Sequence, residues 1–295
     1  MPNATLITPD QLNPIGDATP WDFGNARKCL AQGDSWFSIG AVPFWATSNL
    51  LSQLVLSCAT VVVNCAYPGR ELAHMVDTTI DSKFIALLAG KLSYKWDAIL
   101  LSGGGNDLID ALQAPPTNPP EARILLAADE WGPESDGVER YLSEPGWTAF
   151  ETHMNVVVDH FLAVRDQGQN AATPVILHTY DYPTPRPAGA GPLGPWLYPA
   201  LNTAYAIPPA DWDALARRLI DRLALLLEDI VAARAQRGLL LVPTRGTLAS
   251  AADGSSGPSG DWENEIHPSA HGYSLLARKW QPIVESVICP PVAAG

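Results

Sequence analysis

Basic charge is scarce in this chain of 295 residues: 18 Lys and Arg stand against 31 Asp and Glu, a formal net charge of −13. That balance argues against nucleic acid or an anionic membrane surface as partner, since both are bound through clustered cations that displace counterions. A neutral or cationic ligand suits it better. Charge of either sign is sparse, 17% of residues, while 47% are hydrophobic, which excludes a disordered chain and fits a globular enzyme. No apolar run approaches the roughly 20 residues of a membrane-spanning helix, so no transmembrane segment is expected. The start, Met1-Pro2-Asn3-Ala4-Thr5-Leu6-Ile7, lacks the basic head and long apolar stretch of a secretory signal. As it stands the chain reads as cytoplasmic, or as secreted if a signal peptide has been removed, and the sequon Asn3-Ala4-Thr5 has meaning only in the second case. Cysteine is also rare. Cys29, Cys58, Cys65 and Cys289 form no CxxC pair and no zinc spacing, and most lie in or beside apolar runs, so buried, reduced thiols are expected.

No internal repeat and no break in composition divides the chain, and its length is routine for a single α/β domain spanning 1–295. Five short apolar runs read as buried parallel strands: Lys28 to Gln32, Thr60 to Cys65, Asp97 to Ser102, Pro174 to Tyr180 and Leu239 to Pro243. Between most of them apolar residues recur at helical spacing, over Ala46 to Ser57, Thr78 to Leu92, Trp147 to Asp166, Asp211 to Arg237 and Ser269 to Val287. Strand alternating with helix predicts a parallel sheet between helical layers, with ligands bound at the carboxyl ends of the strands. Two stretches, 113–145 and 183–209, are too long for ordinary connections. Rich in Pro, with Trp131, Tyr141, Trp196, Tyr198 and Tyr205, they read as walls or lids of a pocket, with a plain covering of sheet edges as the alternative.

Three separated words carry the chemistry: Gly33-Asp34-Ser35, Gly103-Gly104-Gly105-Asn106-Asp107 and Asn264-Glu265-Ile266-His267-Pro268. They supply a hydroxyl, an amide donor and an imidazole, the parts needed for acyl transfer through a tetrahedral oxyanion. Ser35 follows the first strand after a tight turn, where backbone N–H groups including its own point at a substrate oxygen. Taken alone it would be read as a helix-capping serine. Asn106 follows the third strand, and its amide donates a hydrogen bond without taking up protons. His267 enters the last helix at Pro268, where its ring can take the proton of Ser35. Tyr180, Asp181 and Tyr182 end the fourth strand at the same edge and are candidate pocket residues. His271 lacks a zincin glutamate, so no metal is expected. The stretch Gly189-Ala190-Gly191-Pro192-Leu193-Gly194 imitates a dinucleotide fingerprint but has no strand before it or helix after it. The nucleophile elbow G-x-S-x-G of α/β-hydrolases is absent.

In order and content these words resemble the signature blocks of the SGNH (GDSL-type) hydrolases. The resemblance implies a three-layer α/β/α sandwich with a five-stranded, flavodoxin-like parallel sheet. It also implies a cofactor-free carboxylic ester hydrolase acting on a small-molecule, lipid or sugar ester, with Ser35 as nucleophile and His267 as base. Gly69, in Tyr67-Pro68-Gly69-Arg70, matches the family's second block, which makes Ser35, Gly69 and Asn106 the expected oxyanion hole. One position departs from the pattern. The family carries Asp three residues before the histidine, and here that residue is Asn264. Asn264 itself, Asp261, Glu265, Asp181 or a backbone carbonyl are open as partners of the ring, with a Ser–His dyad or Asp261 favoured. The loss of the acid also motivates a rival from another class, a binding protein that kept the fold and lost activity. Short- or medium-chain esters are the expected substrates; sugar acetates, lysophospholipids, thioesters and polyesters are alternatives.

Overall fold

The computed structural model describes residues 3–12, 23–38, 48–91 and 93–289. Its strands are β1 (Thr5–Ile7), β2 (Arg27–Gly33), β3 (Thr60–Asn64), β4 (Ala98–Ser102), β5 (Val175–His178) and β6 (Leu239–Val242). All pair in parallel, in the order β1-β3-β2-β4-β5-β6. The helices are α1 (Pro9–Leu12), α2 (Ser35–Ser38), α3 (Ser82–Leu88), α4 (Gly105–Leu112), α5 (Glu144–Arg165), α6 (Leu197–Pro199), α7 (Trp212–Ala233) and α8 (Ala270–Ile288). Without β1, the sheet has the flavodoxin-like order expected. The sixth strand is a three-residue edge, too short to leave much unpaired backbone exposed.

Every residue of β4 and of β5 is buried, because helices cover both faces of a parallel sheet; this is why these strands appear as unbroken apolar runs. Strand order reverses between β2 and β4, and a ligand crevice forms at such a switch point. There the two strands approach so closely that a Cβ on Gly33 would lie 2.8 Å from the Ser102 side chain. Glycine is therefore required where β2 turns into α2. At the end of β4, Gly104 takes φ +106, a conformation that L side chains avoid, and α4 begins one residue later. That helix, Gly105–Leu112, is not among those expected from helical spacing. Of the helix expected over Ala46 to Ser57, residues 46 and 47 lie outside the described residues; the rest holds only a 3-10 turn, Leu51–Gln53.

Cys58 and Cys289 form a disulfide with 5.9 Å between their Cα atoms, which corrects the reading of these two as reduced thiols. The end of α8 returns to the segment that leads into β3, a proximity that 231 residues of separation conceal. Cys29 and Cys65 are free, and burial pushes both thiols up, Cys29 to about 12. No helix among the described residues is long and apolar enough to cross a membrane.

Candidate active site

Ser35 opens α2 directly after β2. Asp34 holds that turn from both ends: its Oδ1 accepts from Trp36 N at 2.9 Å, and its carbonyl accepts from Phe37 N and Ser38 N. His267 reaches the same point from the far end of the chain, in the loop before α8, whose N-cap is Ser269. The distance from His267 Nε2 to Ser35 Oγ is 2.8 Å.

The other ring nitrogen answers the question left open by the sequence. His267 Nδ1 lies 2.9 Å from Asn264 Oδ1, which also accepts from His267 N at 2.9 Å and Ile266 N at 3.2 Å. Two backbone donors at that spot require an oxygen there, so the amide is oriented and Nδ1 must carry the ring proton. Nε2 is then left as the acceptor for the Ser35 hydroxyl. Asn264 supplies orientation without charge, and its buried Nδ2 has no hydrogen-bond partner among the described residues. Burial lowers the His267 pKa to about 4.

The other proposed partners of the ring go elsewhere. Asp261 Oδ2 accepts from Ala249 N at 2.8 Å, and its other oxygen lies 3.9 Å from the exposed His271; favouring it as support for His267 is corrected, because the loop turns its carboxylate away. Asp181 accepts from Gly246, Thr247 and Leu248 N at 2.7–2.8 Å. Glu265 binds the backbone of residues 186–198. Among the described residues, no group of three or more His, Cys, Asp or Glu side chains is placed to share a metal ion.

A cavity of about 50 Å³ opens beside Ser35. Asn106 lines it with Leu108, Ile109 and Leu112 of α4, and Ala216, Leu219 and Ile220 of α7 face them across it. Asn106 Nδ2 also donates to Arg70 O at 3.1 Å, and Asp107 accepts from Leu72 N at 3.1 Å. These two bonds pin the 69–72 turn to the start of α4, bringing the Tyr67-Pro68-Gly69-Arg70 block beside Asn106. One amide hydrogen of Asn106 is used on Arg70 and the other is left for the cavity. Gly69, at φ +74, occupies that turn but does not line the cavity. Tyr180 and Asp181 do line it. Tyr182 does not; its hydroxyl donates to Asp221 at 2.6 Å and its ring lies under Arg217 of α7, so its assignment to the pocket is corrected. The loop readings divide in the same way. Pro183 and Leu197 from the second stretch line the cavity, whereas 113–145 contributes nothing to it and borders a separate hollow with Asp107, Asp110 and His153.

A second Ser–His arrangement, missed in the sequence, lies beneath the first. Ser102 Oγ is 2.7 Å from Asp34 Oδ1 and 2.9 Å from His178 Nε2, and Tyr180 OH donates to Asp34 Oδ2. With its carboxylate, this network looks more like a triad than the pair at the cavity. Its hydroxyl and imidazole are sealed, however: Asp34 and Tyr180 reach the cavity wall, whereas Ser102 is 0% and His178 1% exposed and neither lines it. His178 Nδ1 faces Thr179 O at 2.7 Å and must donate to it, so Nε2 needs the proton of Ser102. One hydroxyl proton cannot also serve Asp34. The network is complete only when it holds one further proton, and Asp34, pushed up to about 6 by burial, keeps it below that pH.

No protein-family model and no curated protein sequence matches the chain. Among solved structures it is similar to an extracellular lipase from Streptomyces rimosus, at 15% identity and TM-score 0.50, over 89% of this chain and 100% of that one. A carbohydrate acetylesterase from Sinorhizobium meliloti aligns at 13% identity and TM-score 0.48, over 88% of this chain and 99% of its own. A phospholipase A1 from Streptomyces albidoflavus aligns at 14% and 0.46, over 89% and 99%. At such identities the likeness is one of fold.

Proposed function

We propose that this chain, whose fold is that of the SGNH hydrolases, is a serine hydrolase of carboxylic esters. The observation that carries the reading is the 2.8 Å approach of His267 Nε2 to Ser35 Oγ at the wall of an apolar cavity. Ser35 Oγ attacks the ester carbonyl while its proton passes to Nε2. The developing oxyanion accepts from the N–H groups of Ser35 and Gly69 and from Asn106 Nδ2. The imidazolium protonates the leaving alcohol; the neutral ring then takes a proton from the water that attacks the acyl-enzyme and returns it to Ser35 Oγ as the acid leaves. Asn264 fixes the ring tautomer throughout.

The cavity decides among acyl groups. A single water needs about 10–15 Å³ on this scale, so about 50 Å³ admits an acyl chain of only a few carbons. Acetyl and other short esters are the preferred class, and an O-acetylated carbohydrate, whose acyl part is the smallest, is the second reading. The disulfide between Cys58 and Cys289 supports an oxidising compartment over the cytoplasm. A panel of p-nitrophenyl esters from acetyl to palmitoyl tests the substrate reading. A maximum at acetyl to butyryl is expected, and a maximum at palmitoyl would overturn it.

A further inference from the structure

Glu265 stands two residues before His267, is 0% exposed, and touches neither Ser35 nor the imidazole. Its carboxylate instead collects four backbone N–H groups from a single stretch of the second long loop. Oε1 accepts from Tyr198 at 2.7 Å and Arg186 at 3.2 Å; Oε2 accepts from Leu197 at 2.9 Å and from Trp196. Glu265 N donates in turn to Ala188 O at 2.9 Å. The lacing is reciprocal, because the buried Arg186 guanidinium donates to Asn264 O at 2.7 Å and to the carbonyls of Ser255 and Gly257. Burying a carboxylate is costly, and four charge-assisted bonds to it are an expensive way to close a loop that has no task.

What the two laced segments carry gives the expense a reason. From residues 264–267 come Asn264, which orients the ring, Ile266, which lines the cavity, and His267 itself. From the loop come Leu197, another wall of the cavity, and Trp196, whose ring stands edge-on to His267 with centroids 5.2 Å apart. The base and the wall facing it thus hang on one side chain. Only a carboxylate can do this: glutamine would offer oxygen to one pair of N–H groups and turn its own N–H₂ against the other.

We propose that Glu265 is a positioning residue that sets acyl specificity, fixing Trp196 and Leu197 against His267 so that the cavity stays narrow. The proposal rests on the ester hydrolase reading. Its test is E265Q, compared with the wild-type chain by kcat and KM on p-nitrophenyl acetate and hexanoate, and by Ser35 modification with a small fluorophosphonate. The expected result is that both proteins are labelled, and that the hexanoate-to-acetate ratio of kcat/KM rises by about tenfold or more in E265Q. The rise should come mainly through KM. L197A, which widens the wall without touching the carboxylate, should shift the ratio the same way. The double variant E265Q/L197A should shift it by less than the product of the two.

A wild-type protein that is never labelled would overturn the hydrolase reading, and this proposal with it. If the wild type is labelled and turns over ester, an unchanged ratio in folded E265Q would overturn the positioning role alone. So would an equal fall in kcat on both esters at unchanged KM, which is the mark of a merely structural loss. Should E265Q fail to fold by circular dichroism, L197A and W196A decide, and an unchanged ratio in both overturns the proposal.

Discussion

Two serine–histidine pairs lie one above the other at the end of this sheet, and they differ in what each lacks. The deeper pair, Ser102 with His178, has a carboxylate in Asp34 but no route to solvent. The outer pair, Ser35 with His267, opens on a cavity and has only the amide of Asn264 behind it. Hydrogen-bond geometry alone would favour the deeper one. A hydroxyl becomes a useful nucleophile where substrate can reach it and where donors face the oxyanion; Asn106 faces the outer pair's cavity. The deeper network does a different job. By anchoring Asp34 it holds the turn from which Ser35 projects.

Mutations at corresponding positions of the two pairs should separate them. Ser35→Ala is expected to lower kcat on p-nitrophenyl acetate by about 10⁵-fold or more, and His267→Ala by a similar factor, since members of such a unit are not additive. Asn106→Ala comes next: loss of one oxyanion donor should cost about 10²–10³ in kcat, with KM little changed, as steady-state kinetics would show. A smaller effect, of opposite sign, is expected from Asn264→Asp. A negative charge beside the ring favours the imidazolium, so kcat at pH 8 should rise by about tenfold or more.

The pH profile carries the same contrast. With its pKa lowered to about 4, His267 is neutral, and able to act as a base, at all pH values above that. The acidic limb of kcat/KM is therefore expected near pH 4 rather than near the ordinary histidine value. In Asn264→Asp the limb should move to higher pH, because the carboxylate raises the pKa it acts on. The smallest effect on catalysis belongs to Ser102→Ala. It leaves Asp34 and His178 without their bridge, so about 1–3 kcal/mol of stability should be lost in denaturant melts, while kcat changes by less than about tenfold. A loss there equal to that of Ser35→Ala would dissolve the distinction between the pairs.

The outline of the sheet and the outer pair were legible in the sequence because each has a local signal. Buried parallel strands appear as apolar runs, and the Gly-Asp-Ser, Gly-Gly-Gly-Asn and Ile-His-Pro words fall just beyond strand ends. Where the structure departs, the determining partner is distant. The deeper pair joins Ser102 to a histidine at the end of an apolar run, 76 residues away, where no motif marks it. The disulfide spans 231 residues. Glu265 looked like a rescue for the ring because it is close in sequence, yet its backbone direction sends the carboxylate to residues 186–198. Asp261 was misplaced for the same reason: nearness along a loop says little about which way a side chain turns. The start of α4 was hidden by its glycines, which are poor helix formers placed there for close approach and a positive φ.

Which hydroxyl is the nucleophile decides between the two pairs, and one measurement addresses that directly. The folded protein is treated with a small fluorophosphonate, digested, and the modified residue located by mass spectrometry. Modification of Ser35 in stoichiometric yield, with Ser102 untouched and ester turnover lost in step, is the predicted result. Modification at Ser102, or an unmodified Ser35 in a protein that still hydrolyses esters, would contradict it.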